Sequence, residues 1–334
     1  MFKISEKTKI YIVATTTYFN GGGELLHQLC DVLNRNGREA YMCYLDKKTL
    51  TFKYVQLPEH IQKYKIMVTN AIEDNEYNIL IVPEKFTEPF RDLINVQKCI
   101  WWLGMNQYFW RSELNKYPTL EVIYHWTRYL SGQKTPLPPY KLKGKDIVHL
   151  SQCWYGVAFL NKKGFHNVGY LSDYINGMHE DFGKIENRED IVLYNPKRNV
   201  KYLNKIINYD KNIKYVPIIN MTNEEVSLLM KKAKLYIDMG SHPGKDRMPR
   251  EAALHGCCIL TSTEGSADFW DDVPIESEFK FIRKKKNIPV IHKKILEIFK
   301  DYSQIYKRFD FYRSYILTEQ EHFESDVKKI FGME

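Results

Sequence analysis

The stretch 236–265, YIDMGSHPGKDRMPREAALHGCCILTSTEG, constrains the fold more than any other part of this chain. An apolar run at 235–239 has the length and composition of a strand. A polar loop with His242, Lys245, Asp246 and Arg247 follows, then a helix opening near Pro249 and stopping at Gly256, then a second apolar run at 257–261. Strand, loop, helix and strand in that order make a crossover unit of a parallel sheet. Such a unit sets a helix N-terminus, with its unpaired N–H groups and partial positive charge, beside a loop of four ionisable side chains. That is a place to hold a phosphate.

The same alternation extends in both directions. Strand text recurs at 9–15, 40–45, 79–82, 98–103, 121–125 and 146–150, and again at 190–194, 214–218 and 279–282. After a loop at Gly21-Gly22-Gly23, a helix over 24–36 places Leu25, Leu26, Leu29, Val32 and Leu33 on one face and ends at Gly37. Thr222 with Glu225 three residues on predicts a capping box at the start of another helix. These patterns predict an α/β protein with two Rossmann-like domains. The stretch 168–183 breaks the alternation and carries the turn signal Asn176-Gly177, so the first domain is placed at 1–174 and the second at 175–311. Residues 312–334 read as a closing helix.

Composition narrows the class. A chain of 334 residues is long enough for two domains at roughly 100–200 residues each. No run of ~18 apolar residues is present, and the first residues read as a polar lead into a strand rather than a signal peptide, so a cytoplasmic protein is expected. Six cysteines lie within apolar text without a CxxC spacing, which predicts reduced core thiols rather than zinc or disulfides. The net charge of +8 is spread along the chain except at Arg283-Lys284-Lys285-Lys286. Such a run is a solvated loop or a basic face for the inner membrane surface or an anionic acceptor. No nucleic-acid-binding motif accompanies it, so nucleic acid is not an expected partner.

The segment Glu251-Ala252-Ala253, then Gly256 and the strand Cys257-Cys258-Ile259-Leu260, resembles the Glu-Ala-x-x-x-Gly half of the Glu-x7-Glu motif in group-1 retaining glycosyltransferases of the GT-B fold. The first Glu of that motif is replaced by Pro243. The resemblance implies two Rossmann-like domains facing each other across a cleft, a nucleotide-sugar-binding second domain, and a C-terminal helix crossing back to the first. It implies that Glu251 binds the donor ribose, that Lys197 and Arg198 meet the diphosphate, and that Gly22 and Gly23 approach the donor. It covers about 191–275 closely and the first half in outline.

The residues themselves offer further candidates. Arg198 suits a diphosphate because its planar fork can meet two oxygens at once, although a solvated basic turn explains the same text. His242, Lys245 and Arg247 lie in a strand-to-helix loop of the kind that lines ligand crevices, and Asp246 is either a catalytic candidate or a local ion pair and cap. The run 101–110, WWLGMNQYFW, is aromatic enough to stack on sugars or to plug a core. Trp101 and Trp102 read as the plug, and Asn106, Gln107 and Tyr108 as acceptor-side residues. His125 is a second catalytic candidate, and Glu84 also ends a candidate strand.

Absent motifs complete the expectation. There is no Asp-x-Asp pair, Walker A, HExxH or GxSxG, so neither a metal nor a cofactor is expected, and basic side chains must neutralise the leaving diphosphate. By resemblance the activity is transfer of a sugar from a nucleotide diphosphate to a glycan or lipid-linked glycan acceptor, as in capsule or lipopolysaccharide synthesis. Two alternatives stay open: an epimerase or phospho-group transferase on the same fold, and a non-catalytic donor-binding subunit.

Overall fold

The computed structural model describes residues 2–17, 21–109, 120, 123, 127, 130–131, 137, 139–176 and 187–333. These divide into two compact units, Met1–Asp173 with Glu321–Glu334, and Tyr174–Gln320.

In the first unit the strands are β1 (Lys9–Thr15), β2 (Glu39–Leu45), β3 (Phe52–Lys53), β4 (Met67–Val68), β5 (Ile79–Pro83), β6 (Gln97–Trp102), β7 (Ile147–Ser151) and β8 (Val168–Tyr170). Among the described residues they form one sheet in the order β3-β2-β1-β5-β6-β7-β8, with β4 also pairing β2. Every pairing is parallel except β2 with β3. A parallel sheet is covered on both faces, which explains why β5, ILIVP, is buried at every position. The Gly21–Arg35 helix covers β1 and β2 with the apolar face read from the sequence, and the turn after it uses Gly37 at φ +83°.

Three expectations change here. The three glycines are the first turn of that helix, not a loop before it. Residues 168–170, read as the start of a break, are the edge strand β8. The closing text is two helices, Asp310–Leu317 and Glu319–Ile330, separated at Thr318, whose hydroxyl bonds back to Tyr315 O at 2.9 Å. The second packs into the first unit: Phe323 stacks on Trp101 at 6.0 Å, and Asp326 accepts a hydrogen bond from Ser172. Of the predicted strand at 121–125 only Ile123 is described, and it is helical and exposed, so the strand reading fails there; the Gly177 half of the predicted turn lies outside the described residues.

The second unit contains β9 (Glu189–Tyr194), β10 (Lys214–Pro217), β11 (Ala233–Asp238), β12 (Cys258–Ser262) and β13 (Lys280–Phe281), ordered β10-β9-β11-β12-β13 and parallel throughout. The Asn223–Lys232 helix opens with the capping box expected at Thr222 and Glu225. All six cysteines are free and buried.

Candidate functional site

Strand order points to a candidate site in the second unit. The chain leaves β9 to form β10 on one side and returns to form β11 on the other. Connections that part in opposite directions leave a crevice at the carboxyl ends of the two central strands, where ligands bind in sheets of this kind. The loop after β9 carries Lys197 and Arg198, and the loop after β11 carries 239–246.

These two loops are joined by charge. Asp246 accepts hydrogen bonds from Arg198 Nη2 through Oδ1 and from His242 Nδ1 through Oδ2, the latter at 2.8 Å. Arg198 Nη1 also donates to Ser241 O at 3.2 Å, and its side chain stays 29% exposed. On the other side of the ring, His242 Nε2 lies 3.9 Å from Asp238 Oδ1, which accepts Gly240 N–H at 2.9 Å. A Cβ on Gly240 would meet Asp238 Oδ1 at 2.9 Å and Arg198 Cδ at 3.1 Å, so a side chain here would press on both charged neighbours. Gly265, at φ +69°, runs so close beside His242 that a Cβ would lie 1.8 Å from its carbonyl oxygen.

Burial and charge compete in this group. Burial works against the His242 imidazolium, but the bond to Asp246 and the fields of Asp238 and Asp246 outweigh it and raise the pKa. For Asp246 burial would raise the pKa, yet His242 and Arg198 together pull it below the usual carboxylate range. In Asp238 burial prevails and the pKa rises. Asp238, His242 and Asp246 bring donor atoms within 4.8 Å of one another. Their geometry is that of an ion network rather than a chelate: the imidazole stands between the carboxylates, and Arg198 occupies the second oxygen of Asp246.

Beneath the loop, Lys245 Nζ lies 2.8 Å from Glu319 Oε1 and Arg250 Nη1 lies 2.6 Å from Glu319 Oε2, all three side chains being almost wholly buried. Lys245, expected at a ligand, therefore has its ammonium in the interior. The helix expected to open near Pro249 is Arg247–Leu254, which places Glu251 a full turn inside it. There the helix dipole contributes little, and Glu251 accepts from Arg247 Nε at 3.2 Å. Arg283, from the basic run, pairs with Glu264 through two nitrogens, and Lys284, Lys285 and Lys286 are exposed.

The first unit has the same strand logic, with its reversal between β1 and β5. Gly22 lies at that point, its Cβ position 3.5 Å from Leu103 Cδ1, and Gly23 O meets His27 Nδ1 at 2.7 Å. Glu84, just past β5, is 2% exposed and accepts Leu103 N–H at 3.0 Å. Burial lifts its pKa to about 7. Trp101 and Trp102 are fully buried, in line with the plug reading. Tyr108, expected on the acceptor side, is buried edge-on against Trp102 and donates its hydroxyl to Leu137 O. Asn106 and Gln107 fall on the short Met105–Phe109 helix rather than a loop, and His125 lies outside the described residues. Asp238, Glu264 and Glu319 were not singled out from the sequence, since each acquires its partner only through folding.

No protein-family model matches the chain, and no curated protein matches it by sequence. Solved structures do. A glycosyltransferase from Rickettsia africae matches at 12% identity over 97% of this chain and 98% of its own, with a TM-score of 0.62. HepE from Anabaena, in complex with UDP and glucose, matches at 8% identity over 97% and 99%, with a TM-score of 0.60. TarM from S. aureus, in a complex that includes UDP, matches at 13% identity and a TM-score of 0.51. The match takes in 87% of this chain, which spans only 63% of TarM. At these identities the likeness defines the fold: the chain has the GT-B glycosyltransferase fold, with two α/β sheets that are parallel save for β2 with β3.

Proposed function

We propose that this chain is a glycosyltransferase that moves a sugar from a nucleotide-diphosphate donor to a cell-surface glycan acceptor, a capsule or lipopolysaccharide chain. The observation that carries the reading is the placement of Arg198. It stands at the strand-order reversal of the second unit, partly exposed, beside the exposed Lys197. Its guanidinium is held by Ser241 O and Asp246 through two of its N–H groups, which leaves others for phosphate oxygens. The complexes of HepE with UDP and glucose and of TarM with UDP support a nucleotide-sugar donor.

The chemistry asks for charge stabilisation more than covalent help. Arg198 and Lys197 take up the charge of the departing diphosphate, Arg247 stands near the same helix opening, and Glu251 accepts hydrogen bonds from the ribose. Transfer is metal-independent on this reading. It proceeds with retention: the acceptor hydroxyl attacks from the face that the phosphate leaves, and the phosphate oxygen takes its proton. The exposed lysines 284–286 suit a peripheral contact with an anionic membrane face.

A thermal-shift screen over UDP, GDP, CMP and their sugars tests this reading. A ligand at ~100 times its Kd adds about 2.7 kcal/mol. One nucleoside diphosphate is expected to stabilise the protein while its free nucleoside does not, and chelator is expected to leave transfer unchanged. Sugar interconversion in place of nucleoside diphosphate release would mark an epimerase, binding without turnover a partner subunit.

A further inference from the structure

Both carboxylate oxygens of Asp246 are engaged, one by Arg198 and one by His242, so the residue joins the loop after β9 to the loop after β11. His242 is 2% exposed and fixed along its backbone: its N–H donates to Glu264 O at 3.2 Å, and its carbonyl accepts Ser266 N–H at 2.8 Å. Gly265 lies tight against it. The imidazole is therefore a rigid donor to Asp246, and Asp246 in turn is a rigid acceptor for a guanidinium that is otherwise partly exposed.

We infer that Asp246 is a positioning residue for the donor diphosphate, acting through Arg198, with the Nδ1–H of His242 holding its carboxylate in place. The inference rests on the donor reading above. An arginine side chain loses much rotamer freedom when it is fixed, and fixing it before the ligand arrives removes that cost from binding. The charged groups facing His242 are Asp238 at the end of β11, Asp246 and Arg198, while Lys245, Arg250 and Asp272 line the small pocket it shares. Loss of a proton from His242 makes the group of Arg198, His242, Asp238 and Asp246 one charge more negative beside the phosphate site, which opposes an anionic ligand.

A double-mutant cycle read by calorimetry decides the question, with UDP-glucose as probe because its phosphates stay ionised through the neutral range. Asp246→Asn is expected to weaken binding about tenfold, equivalent to about 1.4 kcal/mol, in the natural background. With Arg198→Ala already present, the same change should cost less than about twofold, since a residue acting only through Arg198 has nothing left to act on. Equal losses in both backgrounds, or tighter binding by Asp246→Asn, would overturn the positioning role alone. Should Asp246→Asn fail to fold, the unaltered protein supplies the test: UDP-glucose affinity should fall several-fold as pH rises through the raised His242 pKa, above about 6.5, and a flat profile overturns the role given to His242. If the unaltered protein binds none of UDP, GDP, CMP and their sugars, the donor reading fails, and this inference with it.

Discussion

Glu319 Oε2 lies 2.6 Å from Arg250 Nη1, and both side chains are 2% exposed. The other oxygen of Glu319 meets Lys245 Nζ at 2.8 Å, so one carboxylate at the start of the last helix answers two cations from the loop and helix of the candidate site. Removing a single member of a buried ion group leaves its partners desolvated and uncompensated, which costs about 3–5 kcal/mol. Glu319→Ala is expected to lower the unfolding free energy by that amount in urea denaturation. A loss below about 1 kcal/mol would show that water reaches the cations.

Gly265 and Gly37 both have positive φ, but only Gly265 is crowded. Alanine at Gly37, with nothing within 4 Å of its Cβ, carries the left-handed backbone cost alone, about 1–2 kcal/mol. At Gly265 the new Cβ must also displace His242 O, so Gly265→Ala should lower Tm by clearly more than Gly37→Ala. Equal shifts would mean that the strand pairing beside His242 yields freely.

Glu84 makes stability depend on pH. Burial raises its folded pKa to about 7 from an ordinary 4.5, so the folded protein holds the proton more tightly than the unfolded chain. The contribution is complete below about 4.5 and is lost as pH climbs to about 7. At about 1.4 kcal/mol per pH unit the loss is on the order of 3 kcal/mol. Glu84→Gln keeps an acceptor for Leu103 N–H and should flatten this part of the profile, leaving the variant the more stable protein at pH 8. A wild-type profile already flat between pH 4.5 and 7 would contradict the buried carboxyl.

On the proposed reading Glu251 binds the donor ribose. Glu251→Gln retains one acceptor oxygen and should raise the apparent KM for the donor more than it lowers kcat. Collapse of kcat with nucleoside diphosphate affinity intact would move the residue to the transferred sugar.

Much of the fold was legible in the sequence because it rests on local text. The strands β1, β2, β5, β6, β7, β9 and β11 fall within two residues of where apolar runs predict them, and the capping box at Thr222 needs only its neighbour Glu225. The plug formed by Trp101 and Trp102 was legible too, since bulky aromatics at the end of a buried strand have few other places to go.

What the sequence alone determined was the class of architecture: period and length of apolar runs, set by backbone geometry, specify strands, helices and their alternation. It also determined that Arg198 and the 239–246 loop follow strands, and hence that they reach the carboxyl edge of a parallel sheet. Only the tertiary structure decided which of those charges meet. The sequence offered His242, Lys245, Asp246 and Arg247 as one cluster, yet the fold divides it, keeping His242 with Asp246, sending Lys245 inward to Glu319 and joining Asp246 to Arg198 across 48 positions of chain. Charge carries no periodicity, so its partners are chosen by strand order and by the close approaches that Gly240 and Gly265 permit.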